Sequence, residues 1–360
     1  MSSFWNGRLN VSVFGESKGP AIGVTIDNLP PGEYIDTEDL RDTLSRRLFK
    51  ADMTIDRDAA MPSILSGING CRTTGAPLMA LITNNEMPHD DEDIPRIARP
   101  GNSDYTGTVR YKGFNDIRDE GHLSKKLMAP LIFAGAVCRQ ILERRSIYTG
   151  AHILSIHNIR DKAFDPVNID RDTIVQVRKK RFPVMSDRKG TLMRNDIAKA
   201  AACGDSLGGV VECAVTNLPA GIGSPMFDGL ENSVSQLVFG IPLVSGIEFG
   251  AGFGSAGMLG SQYNDEFYAD DHGYVKTKTN NHGGVLGGIS SGMPLIFRVA
   301  FRPNPTLGMN RKGMDLSTLQ ETVTGENNAE SACLVPSCVP VVEAAAAIAV
   351  LSQMLDYPDF

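Results

Sequence analysis

The chain of 360 residues predicts an α+β fold, an αβ sandwich with internal pseudo-symmetry, in one unit spanning residues 1–360. Three observations lead there. Apolar residues make up 42% and charged residues 21%, close to globular averages, which sets aside disordered, collagen-like and coiled-coil classes. Helical and strand patterns are mixed along the whole length, and glycine and proline are scattered, so no linker divides the chain. A segment also occurs twice: "GVTIDNLPPGEYIDTEDLRDTLSRR" (23–47) and "GVVECAVTNLPAGIGSPMFDGLENSVSQL" (209–237) both run from an apolar strand through Asn-Leu-Pro-x-Gly into a helical pattern. Two copies fit a pseudo-symmetric sandwich, since a solenoid needs three or more.

The elements follow in order. After Asp36 and Thr37, which cap with acids in the first turn, Leu40, Leu44 and Leu48 fall on one helical face. A strand is expected at 76–83, then a helix at 124–143, apolar on most faces and kinked near Pro130. Strands follow at 149–156, 208–217, 245–250 and 294–302, where β-branched or aromatic residues lie between glycine and proline breaks. Leu230, Val234 and Leu237 mark the second repeat's helix, and the Ala-rich run 340–355 reads as an interior helix.

A net charge of −7 and a pI near 5.5 argue against a nucleic-acid or anionic-membrane surface, so a small-molecule partner is expected. The six cysteines form no C-x-x-C pair or zinc spacing; reduced, mostly buried thiols and no metal site follow. The N-terminus lacks a basic region followed by an apolar run, and no 18-residue apolar segment is free of charges. The expected compartment is the cytoplasm.

Four segments could carry chemistry. "FGESKGPAIG" (14–23) sets Glu16, Ser17 and Lys18 between glycines, a ligand loop or a polar turn ahead of a strand. "RPGNSDYTG" (99–107) offers Arg99, Asn102, Asp104 and Tyr105 on a turn, suited to an anion or a ring edge, or an ordinary polar loop. "NNHGGVLGGISSGMP" (280–294) is a glycine run in which several N–H groups can converge on a phosphate or flavin. It is not a G-x-G-x-x-G ahead of a Rossmann helix, and the chain has no P-loop. "FRPNPTLG" (301–308) is a stiff loop with cationic Arg302, a site or a strand-ending turn.

In this order, together with "SGINGCRTTGAPL", "RPGNSDYTGTVRYKGFNDIRDEGHLS", "GDSLGGVVE", "IEFGAGFGSAGMLGSQYNDEF", "TKTNNHGGVLGGISSGMP" and "VPSCVPVVEA", these segments resemble the chorismate synthase family over almost the whole chain. The resemblance implies a βαβ sandwich, a homotetramer and binding of reduced FMN. It also implies a 1,4-anti elimination of phosphate from 5-enolpyruvylshikimate 3-phosphate, a small anionic substrate, to give chorismate. The family's FMN segment falls on His122, Leu123 and Ser124, its glycine contact on Gly287, and its phosphate loop on Arg302, Pro303, Asn304, Pro305 and Thr306. A cationic contact to substrate or to a pyridine nucleotide falls on Arg47.

The chain departs from the family pattern at its acids and arginines. Lys18 and Asn102 stand where the family has acid histidines, Ser331 where it has a catalytic aspartate, Ser337 and Lys126 where it has arginines. Lysine at its reference pKa of about 10.4 keeps its proton, and asparagine does not titrate. Lys18 can therefore neutralise phosphate, and Asn102 can only hydrogen-bond. Three functions follow: the family's elimination with rearranged charges, a divergent FMN-binding paralogue acting on another substrate, and a non-catalytic flavin-binding homologue.

Overall fold

Residues 3–47, 61–84, 94–325 and 332–357 are described by a computed structural model in which two antiparallel five-stranded sheets enclose a double layer of helices. The first sheet orders Phe4–Asn6, Asn10–Gly15, Ala21–Asp27, Leu78–Thr83 and Ser63–Ser66. The second orders Ile159–Arg160, Tyr148–Ile156, Gly209–Thr216, Leu295–Phe301 and Val244–Phe249. Helices Thr37–Ser45 and Met128–Glu143 pack behind the first sheet, and Leu230–Phe239 and Val335–Met354 behind the second. The two helical layers meet where Met128–Glu143 crosses Val335–Met354, with Gly135 against the Ala344 backbone. One apolar core runs through all four layers, from Trp5 and Val24 to Phe297 and Val299.

Local sequence explains the helix ends. Asp36 caps Thr37–Ser45 by accepting from the N–H groups of Glu38 and Asp39. Leu40 and Leu44 are buried, while Leu48 lies outside the described residues. The expected kink at Pro130 is absent: Ser124 caps a short 3₁₀ turn, Lys125–Leu127, and the α-helix begins at Met128. Pro130 thus falls in the first α-turn, where its missing N–H is not needed. The last helix starts at Val335, earlier than residue 340, because Pro336 in its first turn is tolerated for the same reason. It is long and apolar enough to cross a membrane, but it is buried between the layers.

The pseudo-symmetry extends beyond the repeated Asn-Leu-Pro motif. Asn28 and Asn217 both take positive φ (66° and 60°), and each side-chain amide donates at 3.0 Å to a carbonyl just before its half's first long strand, Arg8 or Ser146. A second repeat, 67–78 and 284–295, carries matching hairpins, Ile68–Asn69/Arg72–Thr73 and Val285–Leu286/Ile289–Ser290. Positive φ falls at equivalent places, Gly67, Gly70, Cys71 and Gly75 against Gly284, Gly287, Gly288 and Gly292. Thr73 Oγ1 donates to Pro30 O and Ser290 Oγ to Pro219 O, both at 2.5 Å. The same hydroxyls accept from Glu33 N at 2.9 Å and Ile222 N at 2.8 Å.

Candidate active site

Between the two halves lies a cavity of about 630 Å³, within the usual range for a small-molecule site. Trp5, Val11 and Val13 line it from the first sheet, His122 to Lys125 from the turns ahead of the long helix, Leu237 and Phe239 to Val244 from the second half, and Arg302, Asn304 and Pro305 from the end of a strand.

The Glu16-Ser17-Lys18 loop fixes one wall. Ser17 is buried, its hydroxyl shares its proton between the carbonyls of Arg118 (2.9 Å) and Asp119 (2.8 Å), and its N–H donates to Gly121 O at 3.1 Å. These bonds hold a strained run: Asp119 (φ 47°, ψ 44°), Glu120 (φ 65°, ψ 2°) and Gly121 (φ 54°, ψ −122°). A left-handed non-glycine residue costs about 1–3 kcal/mol. Asp119 and Glu120 are the one adjacent non-glycine pair with positive φ among the described residues. Gly121 has no alternative, because a Cβ there would strike the Asp116 carbonyl.

His122 brackets the same loop. Its Nδ1 lies 2.7 Å from Gly15 O, which can only accept, so Nδ1 carries the proton and Nε2 accepts from the Ser3 hydroxyl at 2.6 Å. Both ring nitrogens are committed to holding the loop. The Lys126 ammonium lies 3.1 Å from Asp119 and 3.5 Å from Ser17 O, the carbonyl preceding half-buried Lys18, so two lysines gather at this end of the loop.

Opposite stands the 99–104 turn. Arg99 grips Asp104 with Nε and a terminal nitrogen at 2.9 and 3.0 Å, and Asn102 N–H donates to Arg99 O at 3.2 Å. Arg302 donates to Gly101 O at 3.0 Å, and Ser206 Oγ donates to Asn304 O at 2.7 Å. Asn102 and Arg302 also border a second, cationic cavity of about 810 Å³, with Pro303, Thr306, Arg311 and Lys312.

The two arginines at 46–47 separate in role. Arg46 pairs with buried Glu343 at 2.5 and 3.0 Å, and Glu343 also accepts from Ala151 N at 3.0 Å, so this arginine ties helix to helix. Asp36 meets Gln140 and Arg46 meets Glu343, next to the Ala344–Gly135 contact. The helix therefore runs antiparallel to Met128–Glu143 and delivers Arg47 toward the Ser124 end. Burial pushes the Arg47 guanidinium below its ordinary pKa, and no carboxylate compensates it among the described residues.

Seven residues named from sequence meet on the seam cavity: Asn102, His122, Leu123, Ser124, Arg302, Asn304 and Pro305. Ser337 lies one turn beyond Leu334, a cavity residue, on the same helix face. Ser331 falls outside the described residues. Gly287 stands apart, in the tight turn of the second hairpin. The neighbouring Gly288 carbonyl holds Leu230 N at 2.9 Å, while that helix first lines the cavity at Gln236, six residues along and about 9 Å away. Sequence reasoning missed Trp5 and Glu120. The one tryptophan was a usable signal for Trp5; nothing marks Glu120, because its importance comes from a backbone bend that only Ser17 explains.

The profile of the family described as chorismate synthase matches residues 9–355. Proteins named chorismate synthase from Thermococcus kodakarensis and Dehalococcoides mccartyi are 36% and 37% identical, over 96% of this chain in both cases and over 96% and 94% of their own lengths. A crystal structure described as chorismate synthase has the same fold, with a TM-score of 0.75 at 24% identity over 97% of this chain and 92% of that one. Matched from the second strand to the last helix, the chain belongs to the chorismate synthase family.

Proposed function

We propose that the chain eliminates phosphate from 5-enolpyruvylshikimate 3-phosphate, in a 1,4-anti sense, to give chorismate in the cytoplasm, with reduced FMN in the seam cavity. The observation that carries this reading is the convergence of seven residues, matched to the family's flavin and acid positions, on one cavity between the halves. The walls suit a flavin. One side is apolar, through Trp5, Val11, Val13, Leu131 and Leu237, and Arg302 offers a cation for a phosphate. When bound, reduced FMN supplies transient electron density for the loss of phosphate and is restored within the cycle.

The residues of the chain do the rest. Lys18 and Lys126 neutralise phosphate charge, and Arg47, already desolvated, accepts a substrate carboxylate at little further cost. Asn102 orients by hydrogen bonding, and Ser124 and Asn304 hold the cofactor side. Each charge-assisted contact contributes about 1.5–3 kcal/mol. Met226, Phe227, Phe253 and Phe267 are exposed apolar side chains, which supports the family's tetramer as the working form.

The test is phosphate release by purified protein given chemically reduced FMN and the substrate, with flavin absorbance followed in parallel. Release is expected. Flavin binding without release would move the chain to the second reading, a flavin-binding relative acting on another phosphate ester. One observation favours that reading: Asn102 does not titrate, and a lysine at its reference pKa of about 10.4 keeps its proton near neutral pH. In that case K18H combined with N102H restores release if the pocket is otherwise intact. No flavin spectral change would remove both.

A further inference from the structure

Among the described residues lining the seam cavity, Glu120 is the one acid. It also borders two adjoining cavities, one beside Gly15, Glu16 and Gly19 and one beside Arg99 and Lys125. Its position is imposed: the Ser17 bonds to Asp119 and Gly121 bend the chain on both sides of it into the left-handed region, and the carboxyl turns inward. Strain of this kind survives where the surrounding structure over-determines it, which is typical of working residues.

The charges around it leave room for a proton. Arg99 is 3.5 Å away, yet its guanidinium is already gripped by Asp104. Burial raises the Glu120 carboxyl above its ordinary value; Arg99 and Lys125 oppose this, and Asp104 and Asp119 reinforce it. His122 and Arg302 share the cavity, the first with both ring nitrogens engaged.

We propose that Glu120 is the acid of this site, donating the proton that the departing phosphate takes up. This rests on the reaction proposed above. The Glu120 O–H bond breaks as an O–H bond forms on phosphate, while the bond between phosphate oxygen and substrate ring carbon breaks. The proton lost from the ring returns through solvent to the carboxylate, which faces Arg99 in the interval. No oxidant or reductant is consumed.

The experiment compares wild type, Glu120→Gln and Glu120→Asp. In E120Q, kcat for phosphate release should fall about 10²- to 10⁴-fold. Flavin affinity should be unchanged, and the decline of wild-type kcat toward alkaline pH should disappear. E120D should retain that decline at a reduced rate. Wild-type kcat in E120Q, or a loss of rate that tracks a loss of flavin binding, overturns the proposal.

A second readout needs no substrate. An acid whose folded pKa is raised binds more protons folded than unfolded, so its contribution falls as pH rises through the window between the two values. The Tm of E120Q should therefore pull ahead of wild type as pH rises. If wild type binds flavin and releases no phosphate, the family reaction is what fails, and Tm decides: parallel curves overturn Glu120 as the held proton, and diverging curves keep it as the acid of a cavity for another phosphate ester.

Discussion

The two halves share a frame and differ in the connection between their paired first strands. Each has a strand pair, an asparagine with positive φ, a Leu-Pro turn and a hairpin pinned by a hydroxyl, Thr73 in one and Ser290 in the other. In the first half the paired strands Asn10–Gly15 and Ala21–Asp27 are joined by residues 16–20, the Glu-Ser-Lys loop that shapes the site. In the second, Tyr148–Ile156 and Gly209–Thr216 are joined by residues 157–208, which carry helices Arg171–Lys179 and Asp187–Ala202. That excursion buries a His152–Glu212–Arg298 chain under Phe164 on the outer face of the sheet. The repeated backbone supplies walls, and the chemistry sits where the repeat is broken.

Four measurements can break or sharpen this comparison, beyond the Glu120 series. The largest effect is expected at the seam: Glu343→Gln leaves the mostly covered Arg46 guanidinium without its carboxylate and should cost about 3 kcal/mol in denaturant unfolding. A loss below 1 kcal/mol would mean the layers do not depend on the pair. Next, Gly135→Ala drives a Cβ into the Ala344 backbone and should cost about 1–3 kcal/mol, since the two core helices must part. Smaller and more telling are Thr73→Ala and Ser290→Ala, each expected to cost about 1–2 kcal/mol. The costs should be equal and additive in the double variant, with flavin affinity intact. Unequal costs would show that the halves have diverged energetically behind a common backbone.

The smallest effect is acid sensitivity. Burial would raise the Glu143 carboxyl, but Arg139 and Arg178 hold it below its ordinary value near 4.5. Its contribution is therefore fully present above that value and is lost as pH falls through the lower folded one. Tm should drop more steeply below about pH 4.5 in wild type than in Arg178→Met, which weakens the pairing. Parallel curves would count against it.

The sequence reached six of the ten strands of the two large sheets and the four core helices through patterning, and the Asp36 cap through a local rule that needs no tertiary partner; it missed Phe4–Asn6, Asn10–Gly15, Ser63–Ser66 and Ile159–Arg160. It reached the first repeat because Asn-Leu-Pro-x-Gly survives as letters. The second repeat was also present as letters, Gly-x-x-Gly-x-x-[Thr/Ser]-[Thr/Ser]-Gly-x-Pro-Leu in 67–78 and 284–295, but its identities are scattered single residues common in turns, and the shared backbone signs are what mark them as one structure. The site loops were legible as motifs and by family resemblance. Their internal logic was not, because Ser17 reaches a carbonyl 102 positions away and Arg46 a carboxylate 297 away. Gly287 illustrates the limit: its glycine is required by a hairpin at φ 65°, which a motif cannot separate from a ligand contact.

The helix Val335–Met354 has a consequence for how the protein is made. Nearly every side of it is covered by the other layers, including the Arg46 and Gly135 contacts from the first half. Until it is synthesised, the inner face of Met128–Glu143 and the faces of Tyr148–Ile156 and Gly209–Thr216 lack the helix they pack on. The core between the layers therefore closes only once this helix is made, and before that its apolar faces are open to aggregation.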